Sequence, residues 1–114
     1  MDNSLTAEEA LLQILLLDGT GYGLSFIERV KELTEGKIRL HQGTVYPALR
    51  EMERKGLVST FESEPLPERG GRPRIYYKLT KRGQKAAEER ALKGFTEASS
   101  WMSKIGRPLK LVSA

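Results

Sequence analysis

The chain has 114 residues and a net charge of +4, enough for one modest core and too short for a second sizeable domain. It contains no cysteine and a single histidine, so disulfides and thiolate metal sites are excluded and a cytoplasmic setting is the default expectation. The apolar run Leu11 to Leu17 is too short to cross a membrane, and no phosphate-cradling glycine loop or carboxylate pair beside a base suggests an enzyme or a bound cofactor.

Charge is unevenly spread. Residues 1–36 carry seven acids and two bases, residues 37–82 carry eleven bases and five acids, and the remainder six bases and three acids. A basic central block of this kind suits a phosphate-binding surface.

Thr6 followed by Glu9 has the spacing of a capping box, with Leu5 and Ala10 placed to form a hydrophobic staple, and predicts a helix over 7–17. Its apolar residues, among them Leu12, Leu15 and Leu16, point in nearly every direction around the axis. Such a helix needs cover on more than one side, and a second chain is the expected cover. Asp18 to Gly21 reads as a turn. A second helix over 22–34 aligns Phe26, Ile27, Val30 and Leu33 on one stripe, with Gly36 closing it and Gly23 allowing close approach near its start.

The stretch Leu40 to Gly56 reads as a third helix with two distinct faces. Val45, Leu49 and Met52 form an apolar stripe, while Gln42, Tyr46, Arg50 and Arg54 recur at steps of four on another side. Those polar side chains, with Thr44, are able to donate to phosphates and base edges. Gly56 supplies a left-handed helix end. Pro47 lies beyond the first turn of a helix starting near residue 42, which predicts an irregular first turn and a regular helix from about Tyr46.

LVSTFES and the stretch from Arg74 to Thr80 have strand composition, and the Pro/Gly-rich EPLPERGGRP between them makes a hairpin with a long tip bearing Arg69, Arg72 and Arg74. Three short helices followed by a basic hairpin is the layout of a winged helix-turn-helix, a mainly α, α+β fold. Thr80 then caps a helix over 81–105, ended by Gly106-Arg107-Pro108. Ala91, Phe95, Ala98, Met102 and Ile105 form a heptad-like seam with Trp101 beside it, read as a dimerisation surface. The expected organisation is a DNA-binding domain over 1–80, a dimerisation helix over 81–105 and a tail over 106–114.

With these parts in place, three stretches, GYGLSFIERV, LHQGTVYPALREMERKGLV and GGRPRIYYKLTKRG, make the chain resemble the PadR family of winged-helix transcriptional regulators, in its short subgroup with one C-terminal helix. The resemblance implies a homodimeric repressor on double-stranded DNA, binding an inverted repeat with half-sites about one turn apart. It also implies DNA contacts from Gln42, Thr44, Tyr46, Arg50, Arg72 and Arg74. A small hydrophobic effector held between chains at Phe95 and Trp101 is a further implication. The family's pattern includes the Tyr46-Pro47 pair but has Ser-Pro where this chain has His41-Gln42. The competing reading is a winged helix used as a protein-interaction module without specific DNA binding.

Overall fold

A computed structural model describes residues 6–93, with only the backbone of Lys93. The elements in order are α1 (Ala7–Asp18), β1 (Thr20–Gly21), α2 (Gly23–Leu33), α3 (Gln42–Arg54), β2 (Val58–Glu62), β3 (Ile75–Leu79) and α4 (Lys81–Lys93). The arrangement is the expected winged helix. Leu5, Phe95, Ala98, Trp101, Met102 and Ile105, and with them the staple and most of the heptad seam, lie outside the described residues.

The capping box forms as expected: the Glu9 amide donates to Thr6 Oγ1 and the Thr6 amide donates to Glu9 Oε1, both at 3.1 Å. Three ion pairs then tie α1 to its neighbours, Glu8 to Lys55 at the end of α3, Asp18 to Arg29 of α2 and Glu9 to Arg90 of α4. Arg29 donates to both Asp18 oxygens, at 2.7 and 2.9 Å, and also to Glu32. These bonds, Asp18 first, push its guanidinium pKa above the usual arginine range.

One expectation about α1 is corrected. Leu12 and Leu15 are 3% and 1% exposed within the single chain, so no partner is needed to cover them. Cover comes partly from α4, whose Ala87 and Ala91 are buried in the same cluster as α1, Phe26, Val45, Leu49 and Met52. Gln13, also buried, crosses this contact by donating to the Ala87 carbonyl at 3.1 Å. The start of α4 therefore belongs to the winged-helix core, and a boundary at residue 80 runs through packed side chains. Leu16 is half-buried against that core.

Two further differences are local. Thr20–Gly21, expected as a turn, pairs with Lys78 and Tyr77 of β3, giving a three-stranded antiparallel sheet in the order β1-β3-β2. A two-residue strand has no periodicity of its own; it exists only because β3 lies beside it. At the end of α2 the Gly36 amide donates to the Lys31 carbonyl and the Glu35 amide to Glu32, a Schellman closure. Its left-handed residue is Glu35, at φ 54°, with Gly36 also at positive φ. In α3 the same motif uses Gly56, at φ 78°, as expected, with the Leu57 amide on the Met52 carbonyl.

Candidate nucleic-acid interface

The helix α3 starts at Gln42 rather than near Tyr46. The amides of Thr44 and Val45 both donate to the His41 carbonyl at 2.9 Å, and the helix runs on through Pro47. Pro47 denies a donor to the Gly43 carbonyl four residues back. Gly43 is exposed, so water can satisfy that oxygen. His41 occupies the N-cap position but its side chain forms no capping bond, which leaves the first amides of α3 to the solvent.

Val45, Leu49 and Met52 are fully buried, which fixes the opposite side of α3 outward. Gln42, Thr44 and Arg50 are exposed, and among the described residues no hydrogen bond engages their side chains. Arg54, on the same face, is instead paired with Glu51, its Nε donating to Oε1 at 3.0 Å. That pairing raises the Arg54 pKa and lowers that of Glu51.

Tyr46 is only partly free. It retains 37% exposure, but its phenol lies over Gly23, in the space that a Cβ there would occupy, with Cε1 2.6 Å from that position. The close approach expected of Gly23 is therefore made by α3 itself. Behind α3, Tyr77 of β3 packs on Phe26 and reaches the fields of Glu53, Tyr46 and Arg50. Burial first, then Glu53 and Tyr46, raise the Tyr77 pKa, while Arg50 acts in the opposite sense.

The wing tip is ordered by its own backbone. A 3-10 turn at Pro67–Arg69 ends in left-handed Gly70, and the Leu66 carbonyl accepts from the Arg69 and Gly71 amides at 2.9 and 3.0 Å. Arg72 is exposed, with Nε donating to the Arg69 carbonyl at 3.2 Å and no described hydrogen bond to its terminal nitrogens. Arg74 sits at the wing's root, where its amide donates to Ser63 Oγ and its carbonyl accepts from the Ser63 amide. Its guanidinium folds back over the Tyr22 ring, 4.2 Å from the centroid. Sequence reasoning missed this contact and the basic pair Lys37 and Arg39, exposed on the segment entering α3. The signal for the latter was present in the basic central block.

An exposed polar helix face beside an ordered basic hairpin defines a winged helix-turn-helix of the nucleic-acid-binding class. Residues 11–89 match the transcriptional regulator PadR-like family, and the chain belongs to that family. Its members are regulators of transcription, not enzymes. A PadR family transcription regulator from hypervirulent Clostridium difficile R20291 is 28% identical, with a TM-score of 0.62 over 78% of this chain and 88% of that one. A PadR-like transcription factor from Bacteroides fragilis is also 28% identical, with a TM-score of 0.63 over 78% and 80%. Bacillus subtilis PadR in complex with operator DNA shares the fold at 19% identity and a TM-score of 0.61, over 73% of this chain and 45% of that one. No curated protein matches the sequence significantly. No described helix is long and apolar enough to cross a membrane.

Proposed function

We propose that this chain is a sequence-specific, homodimeric repressor that binds an inverted repeat in double-stranded DNA. The observation that carries the reading is the state of α3: Gln42, Thr44 and Arg50 stand exposed with no described protein partner, on a helix whose other side is locked in the core. In the proposed complex that face enters a major groove, where Arg50 and Gln42 read base edges. Tyr46 keeps its exposed edge toward the DNA, and Arg72 at the wing tip contacts the backbone or the minor groove. Exposed Leu92 of α4 (58%) and half-buried Leu16 of α1 support a partner surface, and the proposal adds to it Phe95, Ala98, Trp101, Met102 and Ile105, which lie outside the described residues. Release by a small hydrophobic effector against Phe95 and Trp101 belongs to the same proposal. Trp101 is the chain's only tryptophan, so its fluorescence is a direct reporter of such a ligand.

The test is a titration of duplex DNA from the chain's own upstream region across a salt series. Steep salt dependence is expected. Arg72→Ala should weaken all sequences and lower the logarithmic salt slope by about one, while Arg50→Ala should cost about 1–3 kcal/mol and relax the preference at particular base pairs. Binding indifferent to salt, or to both substitutions, would refute the surface. No preference for any duplex at moderate salt would favour a protein-interaction module. A stable monomer in sedimentation at micromolar concentration would refute the dimer.

A further inference from the structure

A row of aromatic rings and cations runs from the start of α2 across the face of the sheet opposite Tyr77 and Leu79. Tyr22, at the N-cap of α2, meets Tyr76 of β3 edge to face, with centroids 5.4 Å apart and planes at 88°. Tyr76 in turn stacks on Phe61 of β2 across the Phe61↔Tyr76 register pair, at 5.4 Å and 17°. Arg74 closes one end over Tyr22, and the Lys78 ammonium lies 5.7 Å from the Phe61 centroid at the other. The backbone of Tyr22 is itself pinned, since its amide donates to Ser25 Oγ at 2.8 Å and Ser25 Oγ donates to its carbonyl at 2.9 Å. Its neighbour, Gly23, is the residue on which Tyr46 of the recognition helix rests.

Two adjacent residues thus hold two different elements. Tyr22 grips the root of the wing through Arg74 and Tyr76, and Gly23 seats α3 through Tyr46. We infer that the Tyr22-Gly23 corner sets the angle of the wing relative to the recognition helix, and that Arg74 is a positioning residue rather than a phosphate contact. The inference rests on the DNA-binding reading above. Its physical basis is that a cation held over an aromatic ring gains attraction that fixes its position, so that Arg74 ties the wing's root to Tyr22. Tyr76, beside the guanidinium, and Tyr22 favour the charged form of Arg74.

Phosphate contact and positioning make opposite predictions for salt dependence. The full chain and its Arg74→Gln, Tyr22→Ala, Tyr22→Phe and Arg72→Ala variants would be titrated with a random-sequence duplex and with the upstream duplex across a salt series. Amide hydrogen exchange at Ser63 and Arg74 would be measured without DNA. Arg74→Gln and Tyr22→Ala should each weaken binding about threefold to tenfold, leave the salt slope at its wild-type value and accelerate exchange. The double variant should be no worse than Tyr22→Ala alone, because that substitution already removes the ring on which Arg74 rests. Tyr22→Phe keeps the ring face and should restore wild-type behaviour, whereas Arg72→Ala should lower the slope. A slope reduced by about one in Arg74→Gln, with Tyr22→Ala silent, would make Arg74 a phosphate contact and overturn the inference. Unchanged exchange in Arg74→Gln would overturn the clamp whatever the DNA result. Wild-type protein that binds neither duplex at low salt would instead overturn the DNA-binding reading.

Discussion

Replacing Gly83 by alanine isolates one contact on which the join between wing and α4 depends. Gly83 lies in the first turn of α4, buried against the chain leaving α3. Helix propensity alone favours the substitution, by about 1 kcal/mol. The surroundings do not, because a methyl group there would overlap the Leu57 carbonyl oxygen and lie 2.9 Å from its carbon and 3.1 Å from Leu79 Cδ2. The obstacle is backbone that cannot rotate aside. That same carbonyl accepts from the Thr80 amide at 3.0 Å, and Thr80 Oγ1 both donates to the Gly56 carbonyl at 2.6 Å and accepts from the Gly83 amide at 3.1 Å. Moving α4 outward therefore strains two or three hydrogen bonds worth about 1 kcal/mol each, on top of an overpacking cost of about 1–3 kcal/mol. The net expectation is a loss of about 2–5 kcal/mol, seen as a fall of at least roughly 10 °C in Tm for a domain of this size. Thermal and urea unfolding followed by circular dichroism would measure it. Gly43→Ala is the control, since a methyl group at Gly43 would meet nothing within 4 Å and should gain up to about 1 kcal/mol. A Gly83→Ala protein as stable as wild type would refute the reasoning.

Gly23→Ala should act differently, because the atoms in its way belong to the Tyr46 side chain, which can swing out. Unfolding stability should fall by about 1 kcal/mol or less while affinity for the upstream duplex falls more than tenfold, and equal losses would show that Tyr46 has no role in binding. Thr6→Ala removes one half of the capping box and should cost about 1 kcal/mol in urea unfolding, with no change in DNA affinity. For Tyr77 the folded state holds the phenolic proton more tightly than the unfolded chain does. Its contribution to stability is thus constant below about pH 10 and is lost as pH rises from there through the raised folded value. Tyr77→Phe should flatten that alkaline part of the stability curve, and an unchanged decline would place the responsible group elsewhere.

What could be read from the sequence was whatever local chemistry decides. The Thr6 and Glu9 cap, the buried Val45, Leu49 and Met52 stripe, the turn at Gly56 and the strands flanking the wing all follow from short-range spacing, and all are present. What was not legible depends on a neighbour distant in sequence. Thr20 and Gly21 become a strand only beside β3, and Leu12 and Leu15 find cover in elements that include α4. Pro47 illustrates a third case: an irregular first turn was expected from its position alone, whereas the carbonyl it leaves without a donor, that of Gly43, is on an exposed residue. At the interface, spacing identified which residues share a face of α3. It did not distinguish Arg50, without a described partner, from Arg54, neutralised by Glu51, because a pairing at three residues' separation competes with a role on that same face.

The burial of Leu12 and Leu15 also changes what a partner chain has to supply. If α1 had been left open, as its all-round apolarity suggests, a monomer would expose core and folding would require association. The buried apolar side chains of the described residues lie instead between Ala10 and Ala91, within one chain. A chain ending after Lys93 should therefore fold as a monomer, with a Tm that does not depend on protein concentration, although it lacks Phe95, Trp101 and the rest of the proposed seam. Removing the second copy then leaves one recognition helix and one wing per molecule. Binding to an inverted repeat should fall by the factor that linked half-sites provide, about a hundredfold or more, while the affinity for a single half-site stays close to that of one arm of the full chain. Sedimentation, thermal unfolding at two concentrations and titration of whole and half operators would check the three parts separately. A truncated chain that is unfolded at micromolar concentration would show that the core depends on association after all, and a truncated chain that still dimerises would move the partner surface to the exposed side chains of α1 and α4.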